Sequence, residues 1–156
     1  MIAPRPTKSS LVIACAARLA AAVAALSLLA GAALAGGYER VRLPSYDGDL
    51  DAVLYRPKGP GPFPAVVALH GCGGLFRENG KLSLRHSDWG ERLAAEGYLV
   101  LMPDSYGSRR LGSQCGIKEM TVRASRERVA DAAAARHWLQ MRGDVRPDRI
   151  ALLGWS

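Results

Sequence analysis

Arg149-Ile-Ala-Leu-Leu-Gly-Trp-Ser156 is the stretch that decides the fold, because it joins a short apolar run to a Gly-x-Ser triplet. Apolar runs of this length are typical of buried strands. The triplet matches the first three residues of a Gly-x-Ser-x-Gly nucleophile elbow, a tight strand-to-helix turn that lifts a serine hydroxyl out of a sheet. We therefore predict a strand here and take Ser156 as the candidate nucleophile.

A glycine-rich segment upstream, His70-Gly-Cys-Gly-Gly74, strengthens the interpretation of this triplet. It follows another apolar run, residues 65–69. Glycines let the backbone itself approach a ligand, and acyl transfer needs N–H donors aimed at the developing oxyanion. The sequence thus predicts the N–H groups of Cys72 and Gly73 as one half of an oxyanion hole. We expect His70 to hold this turn structurally rather than to act as a base.

Residues 1–35 have the pattern of a secretory signal peptide. They contain no acidic residue, carry Arg5, Lys8 and Arg18, and end in a small-x-small cleavage pattern at residues 33–35. Their uninterrupted apolar stretch is about a dozen residues long, whereas a membrane-spanning helix needs about twenty. We predict an exported protein, periplasmic or secreted, with residues 36–156 as one domain and no membrane attachment after cleavage.

The charge pattern gives no sign of a nucleic-acid partner. The net charge of +7 falls to about +4 without the leader. Much of the remaining positive charge lies at Arg109-Arg110 and along residues 123–142, where it alternates with acidic residues. Such alternation favours a solvated helix face over a phosphate-binding surface.

The exported portion holds two cysteines, Cys72 and Cys115. Export permits a disulfide between them, which would pin two loops over the site, and two free thiols are the alternative. Zinc is not expected, because no closely spaced pair of ligands is present. The segment Gly71-Cys-Gly-Gly-Leu-Phe76 fits neither a dinucleotide fingerprint nor a P-loop, so the sequence indicates no cofactor.

The order of the predicted elements is that of an α/β fold. Strands are predicted over residues 38–43, 50–56, 65–69, 98–102 and after Asp148, with a hairpin turn at Asp47-Gly48. Helices are predicted from Ser87-Asp88 to Gly97 and over residues 121–142. This order predicts parallel strands with flanking helices and an antiparallel edge hairpin, and in such sheets ligands bind at the carboxyl ends of the strands.

Two loops and one helix face complete the expectations. Residues 75–86 and 103–120 are predicted as loops beside a pocket. The apolar stripe of the second helix is expected to face the sheet; it consists of Ala130, Ala134, Trp138 and Met141.

The other titratable candidates all precede Ser156. We expect His86 to be exposed in a polar loop, His137 to have a surface or packing role, and Asp104 to brace its own loop by capping N–H groups. In hydrolases with a nucleophile elbow the catalytic order is Ser, then Asp or Glu, then His. The triad acid and base are therefore expected after Ser156.

Five segments form a recognisable set: His70-Gly-Cys-Gly-Gly-Leu75, Gly97-Tyr-Leu-Val-Leu-Met-Pro-Asp-Ser105, Cys115, Asp131-Ala-Ala-Ala with Trp138-Leu139, and Arg149-Ile-Ala-Leu-Leu-Gly-Trp-Ser156. Together they resemble the dienelactone hydrolase family of α/β-hydrolases, especially its exported members. The resemblance implies a Ser-Asp-His hydrolase that cleaves an ester, a lactone or a similar carbonyl bond. Because dienelactone hydrolases themselves use a cysteine nucleophile, dienelactone is not the expected substrate.

The resemblance also implies that the chain corresponds to the N-terminal half of the family's domain and stops at the nucleophile elbow. We therefore expect a small-molecule ester or lactone as substrate of the whole enzyme and little turnover by residues 1–156 alone. The alternative is a non-catalytic α/β half-domain that binds a small ligand or a partner at the strand ends.

Overall fold

The computed structural model describes residues 37–156, and the predicted leader over residues 1–35 lies outside them. Within residues 37–156 the structure contains five strands, two α-helices and one 3₁₀ turn. Their bounds are β1 Glu39–Ser45, β2 Gly48–Tyr55, β3 Phe63–Leu69, α1 Leu84–Ala95, β4 Leu99–Pro103, the 3₁₀ turn Gly107–Arg109, α2 Glu127–Gln140 and β5 Val145–Gly154. Neither α-helix is long and apolar enough to cross a membrane.

The five strands form one mixed sheet in the order β1-β2-β4-β3-β5. β3 pairs in parallel with both β4 and β5, so that Val66 lies opposite Val100 on one side and Ala151 on the other. β1 and β2 form an antiparallel hairpin that joins the sheet through β4. The predicted α/β class, with parallel strands and an antiparallel edge hairpin, is confirmed.

The sheet carries a core on each face, because side chains along a strand point alternately to its two sides. Leu54, Val67 and Leu101 pack on the face covered by Ala135 and Leu139 of α2. Val53, Val66 and Val100 point the other way, into a second cluster that α1 borders. β3 and β4 are therefore buried on both faces, which explains their continuous hydrophobic runs. β5 lies at the edge of the sheet and is less buried than its apolar run predicts, with Leu152 65% exposed.

Both helices begin at residues other than those expected. α1 begins at Leu84, three residues before Ser87 of the predicted Ser87-Asp88 start, because the Ser83 N–H donates to the Leu75 carbonyl and fixes the chain there. α2 begins only at Glu127 rather than Thr121. The Glu127 carboxylate accepts the Arg123 N–H at 2.8 Å, which holds the preceding turn outside the helix.

The buried stripe of α2 also differs from the expected one. Its fully buried residues are Asp131, Ala135 and Leu139, whereas Met141 is 76% exposed. Ala134 and Trp138 pack only partly against the core. The expected stripe is therefore wrong: the buried positions each lie one residue later in the sequence, because the Asp131 carboxylate faces the interior.

The buried Asp131 carboxylate is paired with Arg109, which lies on the loop after β4. The Arg109 guanidinium donates to both carboxylate oxygens of Asp131, at 2.8 and 2.9 Å. The Ser45 hydroxyl donates to the same carboxylate, and Arg109 also donates to Asp47 in the β1-β2 turn. These carboxylates, Asp131 foremost, raise the pKa of Arg109 above its usual range. The expectation of a fully solvated charged face is wrong for Arg109 and Asp131.

We predict that Asp131→Asn destabilises the full chain by about 1–3 kcal/mol, because the mostly buried Arg109 loses one of its two carboxylate partners and keeps only Asp47. Asp88→Asn is the matched control, since Asp88 pairs with Arg92 in solvent and such pairs contribute less than about 1 kcal/mol. Urea unfolding of the variants measures both effects. Equal losses from the two substitutions would contradict this assignment.

Candidate active site

The carboxyl ends of the three parallel strands meet at one edge of the sheet. β3 ends before His70, β4 before Asp104 and β5 shortly before Ser156. The Trp155 N–H donates to the Leu69 carbonyl at 3.1 Å, which extends the pairing of β3 and β5 up to this edge. The candidate nucleophile and the glycine-rich segment are therefore neighbours in space.

Gly71 lies directly against the backbone of Ser156. A Cβ atom built on Gly71 would lie 3.0 Å from the Ser156 carbonyl carbon and 3.3 Å from the Trp155 carbonyl oxygen. Because these atoms belong to the backbone, they cannot move aside as the end of a flexible side chain could. Glycine at position 71 is what lets the two segments approach.

The three predicted site residues, Ser156, Cys72 and Gly73, line one cavity of about 370 Å³. A larger cavity of about 640 Å³ lies beside it and does not include Ser156. The glycine loop (residues 71–74) borders both cavities, because Gly73 and Gly74 line each of them. We place the candidate site in the smaller cavity because the hydroxyl candidate lies there.

Two backbone N–H groups of the glycine loop remain free within residues 37–156. The Gly74 N–H donates to the Gly71 carbonyl at 3.2 Å, and Gly74 closes this turn with a φ of 84° that favours glycine. The N–H groups of Cys72 and Gly73 donate to no protein acceptor in this range, and both residues are exposed. Free N–H groups beside a hydroxyl are what an oxyanion hole requires.

His70 is fully buried and makes two hydrogen bonds through its ring. Its Nε2 accepts the Ser105 N–H at 3.1 Å, so the proton resides on Nδ1, which donates to the Gly71 carbonyl at 2.8 Å. Burial, opposed in part by the Gly71 hydrogen bond, lowers the pKa of His70 to about 4. The ring therefore stays neutral and joins the ends of β3 and β4, in agreement with the structural role expected for it.

His86 is buried, and the expectation of solvent exposure is wrong. It lies in the first turn of α1, where its Nδ1 hydrogen-bonds the Ser83 hydroxyl and its ring packs edge-on against Trp155. Its Nε2 has no partner within the described residues, and burial lowers its pKa. The early start of α1 explains the difference, because it carries His86 out of the loop. His137 is exposed on α2.

Asp104 braces its own loop. Its carboxylate accepts the Gly107 N–H at 3.0 Å, and burial raises its pKa despite that bond. A Cβ on Gly107 would collide with this carboxylate, so any larger residue there would displace the Asp104 side chain from its loop. The capping role expected for Asp104 agrees with this geometry.

Sequence analysis missed two arginines that hold the loops at the site. Arg128 of α2 donates to the carbonyl of His70, and its guanidinium lies over the Tyr106 ring. Arg109 donates to the carbonyl of Ser105 at 2.7 Å. Both lie in the alternating charge pattern that indicated solvated residues, and nothing local in the sequence distinguishes them.

A disulfide joins Cys72 to Cys115, which lie 43 residues apart. The Gln114 N–H also donates to the Cys72 carbonyl at 2.8 Å. Both contacts attach the glycine loop to the segment after β4. Within the described residues no group of three or more His, Cys, Asp or Glu could hold a metal ion.

Gly71→Ala and Gly73→Ala form a matched pair for this geometry. At Gly71 the new methyl would press on the Ser156 backbone, whereas at Gly73 a Cβ meets nothing within 4 Å. We expect Gly71→Ala to lower the free energy of unfolding by about 1–3 kcal/mol and Gly73→Ala to change it little. Chemical denaturation of both variants tests this, and equal stability would contradict the close approach.

We also predict that His70 makes the protein less stable in acid. The folded chain resists protonation of His70 until about pH 4, whereas the unfolded chain binds that proton near pH 6.5. The contribution is therefore complete above pH 6.5 and is lost as the pH falls toward 4, by as much as about 3 kcal/mol. Urea unfolding across this range measures it. His70→Gln is the control, because its amide oxygen can accept the Ser105 N–H without titrating; an unchanged pH slope would contradict the assignment to His70.

Most of the chain is similar in sequence to known hydrolases. The model of the Dienelactone hydrolase family matches residues 50–156. The Bacillus subtilis (strain 168) protein named "Putative hydrolase YtaP" is 33% identical over 119 residues, which are 67% of this chain and 40% of that protein.

Solved structures share the fold. The crystal structure of the "Putative Dienelactone Hydrolase" from Klebsiella pneumoniae superposes with a TM-score of 0.57 at 24% identity, over 76% of this chain and 49% of that one. The thermophilic carboxylesterase EstE1 from a metagenomic library superposes with a TM-score of 0.53 at 27% identity, over 76% of this chain and 36% of that one. The chain spans less than half the length of each of these relatives. Since the family model covers more than half of the chain, the protein belongs to the dienelactone hydrolase family and has part of an α/β-hydrolase fold.

Proposed function

We propose that the chain carries the nucleophile and half of the oxyanion hole of a serine hydrolase that acts on a carboxylic ester or lactone. The Ser156 hydroxyl attacks the acyl carbon, and the N–H groups of Cys72 and Gly73 stabilise the negative charge that develops on the carbonyl oxygen. The triad base takes the proton of the Ser156 hydroxyl and gives it to the leaving alcohol as the C–O bond breaks, and water then hydrolyses the acyl-serine.

The observation that supports this proposal is the approach of Gly71 to Ser156, with Cys72, Gly73 and Ser156 lining one cavity. Membership of the dienelactone hydrolase family supports the same chemistry. The carboxylesterase EstE1, which shares the fold at 27% identity, supports an ester as substrate class.

The proposal does not take the base of the triad from the described histidines. Both ring nitrogens of His70 are used in hydrogen bonds, and His137 is exposed on α2. His86 binds Ser83 through Nδ1, and within residues 37–156 none of the three hydrogen-bonds Ser156. The proposal therefore assigns the triad acid and base to positions after Ser156, in the order usual for this fold. It expects slow turnover from residues 1–156 alone.

We further propose that the protein is exported, to the periplasm or beyond the cell. The leader pattern of residues 1–35 supports this. The disulfide between Cys72 and Cys115 supports it too, because such bonds persist in oxidising compartments. Fractionation of host cells tests it: deletion of residues 2–35 should retain the protein in the cytoplasm.

The proposed catalytic roles are tested in the protein as its host expresses it, by hydrolysis of p-nitrophenyl acetate and a small lactone. Ser156→Ala should lower kcat/KM at least about a thousandfold, because the nucleophile is lost. Gly73→Pro, which removes one N–H, should lower kcat about 10²-fold or more. Asp88→Asn, which changes a solvent-exposed pair with Arg92, is the control and should stay near wild type. Full activity in Ser156→Ala would contradict the assignment of Ser156 as the nucleophile, whereas no hydrolysis by the wild type would favour the non-catalytic alternative.

A further inference from the structure

The apex of the glycine loop is held from outside by one short segment. Cys72 is bonded to Cys115 through sulfur, and its carbonyl accepts the N–H of the preceding residue, Gln114. The ends of the loop are fixed separately, since His70 and Leu75 are fully buried. Between these ends, Cys72 and Gly73 are exposed, so burial does not hold them.

The segment that holds the apex has little attachment of its own. None of residues 111–121 is buried, and Cys115 itself is exposed. Its internal contacts are local, such as the Cys115 N–H to the Ser113 hydroxyl and the Ile117 N–H to the Gln114 carbonyl. Segments with few buried contacts open at low free-energy cost. The disulfide is therefore the main restraint that ties this segment and the glycine loop to each other.

We propose that Cys115 is a positioning residue: through its bond to Cys72 it holds the free N–H groups of Cys72 and Gly73 in register with Ser156. Its catalytic consequence rests on the function proposed above, whereas its effect on the loop does not. A preorganised donor stabilises a developing charge without reorganisation during the reaction. The closed disulfide thus supplies order that two exposed residues cannot supply themselves.

The bond can be opened by a dithiol reductant, because both cysteines are exposed. A thiolate of the reductant attacks one sulfur, the Cys72–Cys115 bond breaks, and a mixed disulfide forms. The second thiol of the reductant then closes it into a cyclic disulfide. Two electrons and two protons leave the reductant, and Cys72 and Cys115 become thiols. The Gln114 hydrogen bond is then the remaining direct tether of Cys72 among the contacts described above.

The first experiment measures loop order directly. Heteronuclear ¹⁵N NOE values of the Cys72 and Gly73 amides are recorded on the full chain, oxidised and after dithiothreitol, and on Cys115→Ala. We expect rigid values only in the oxidised wild type and lower values in the other two samples. Equal values in all three samples would overturn the proposal, whatever the enzyme does.

The second experiment measures catalysis in the host-expressed protein. Cys115→Ala should lower kcat about tenfold to a hundredfold with KM changed less than about threefold, since a donor is displaced rather than a binding surface removed. Dithiothreitol should bring the wild type to the same kcat and leave Cys115→Ala unchanged.

Leu50→Ala is the control for general loss of stability, because Leu50 is buried in the core on β2, far along the chain from both loops. It should lower the melting temperature while keeping kcat near wild type at a temperature where it is folded. An equal loss of kcat in Leu50→Ala would assign the Cys115 effect to stability and overturn the positioning role. Failure of the hydrolase proposal itself shows separately, as activity that survives Ser156→Ala.

Discussion

The backbone of Gly71 passes so close to the backbone of Ser156 that a Cβ at position 71 would force one of the two segments to shift. This contact determines how the ends of β3 and β5 are arranged, because it involves backbone atoms from both segments. A residue with a Cβ would separate them and widen the space between the serine and the glycine loop. The cavity that contains Ser156, Cys72 and Gly73 exists in its present form because position 71 carries no side chain.

Polar contacts then keep the loops that follow β3 and β4 together. The neutral ring of His70 bridges them by accepting the Ser105 N–H and donating to the Gly71 carbonyl. Arg128 and Arg109 bind the carbonyls of His70 and Ser105 from outside. Arg109 in turn is held by the buried carboxylate of Asp131. The loops at the candidate site are thus fixed through α2, although α2 contributes no residue to the cavity that contains Ser156.

The strands could be predicted from the sequence because their signal is local. Continuous apolar runs at residues 65–69 and 99–102 require burial on both faces, and the sheet provides it. The predictions are wrong where a residue distant in sequence determines the local structure. The Leu75 carbonyl holds Ser83 and sets the start of α1, and Arg109, from another loop, draws the Asp131 side chain inward. The alternating charges along α2 look the same in the sequence whether Asp131 faces water or an arginine. The sequence alone therefore could not show that Asp131 is buried.

His70 accepts a hydrogen bond from Ser105, and Arg128 carries a positive charge nearby. A single charged histidine could not do both. A protonated His70 would place positive charge near the glycine loop, but its Nε2 would then carry a proton and could no longer accept the Ser105 N–H. Burial, and to a lesser degree the neighbouring Arg128 cation, favour the neutral ring. The positive charge is instead carried by Arg128, whose guanidinium has only donor groups and donates to the His70 carbonyl. Hydrogen-bond geometry and positive charge are therefore supplied by separate side chains, and the loop keeps one arrangement through the pH range in which His70 stays neutral.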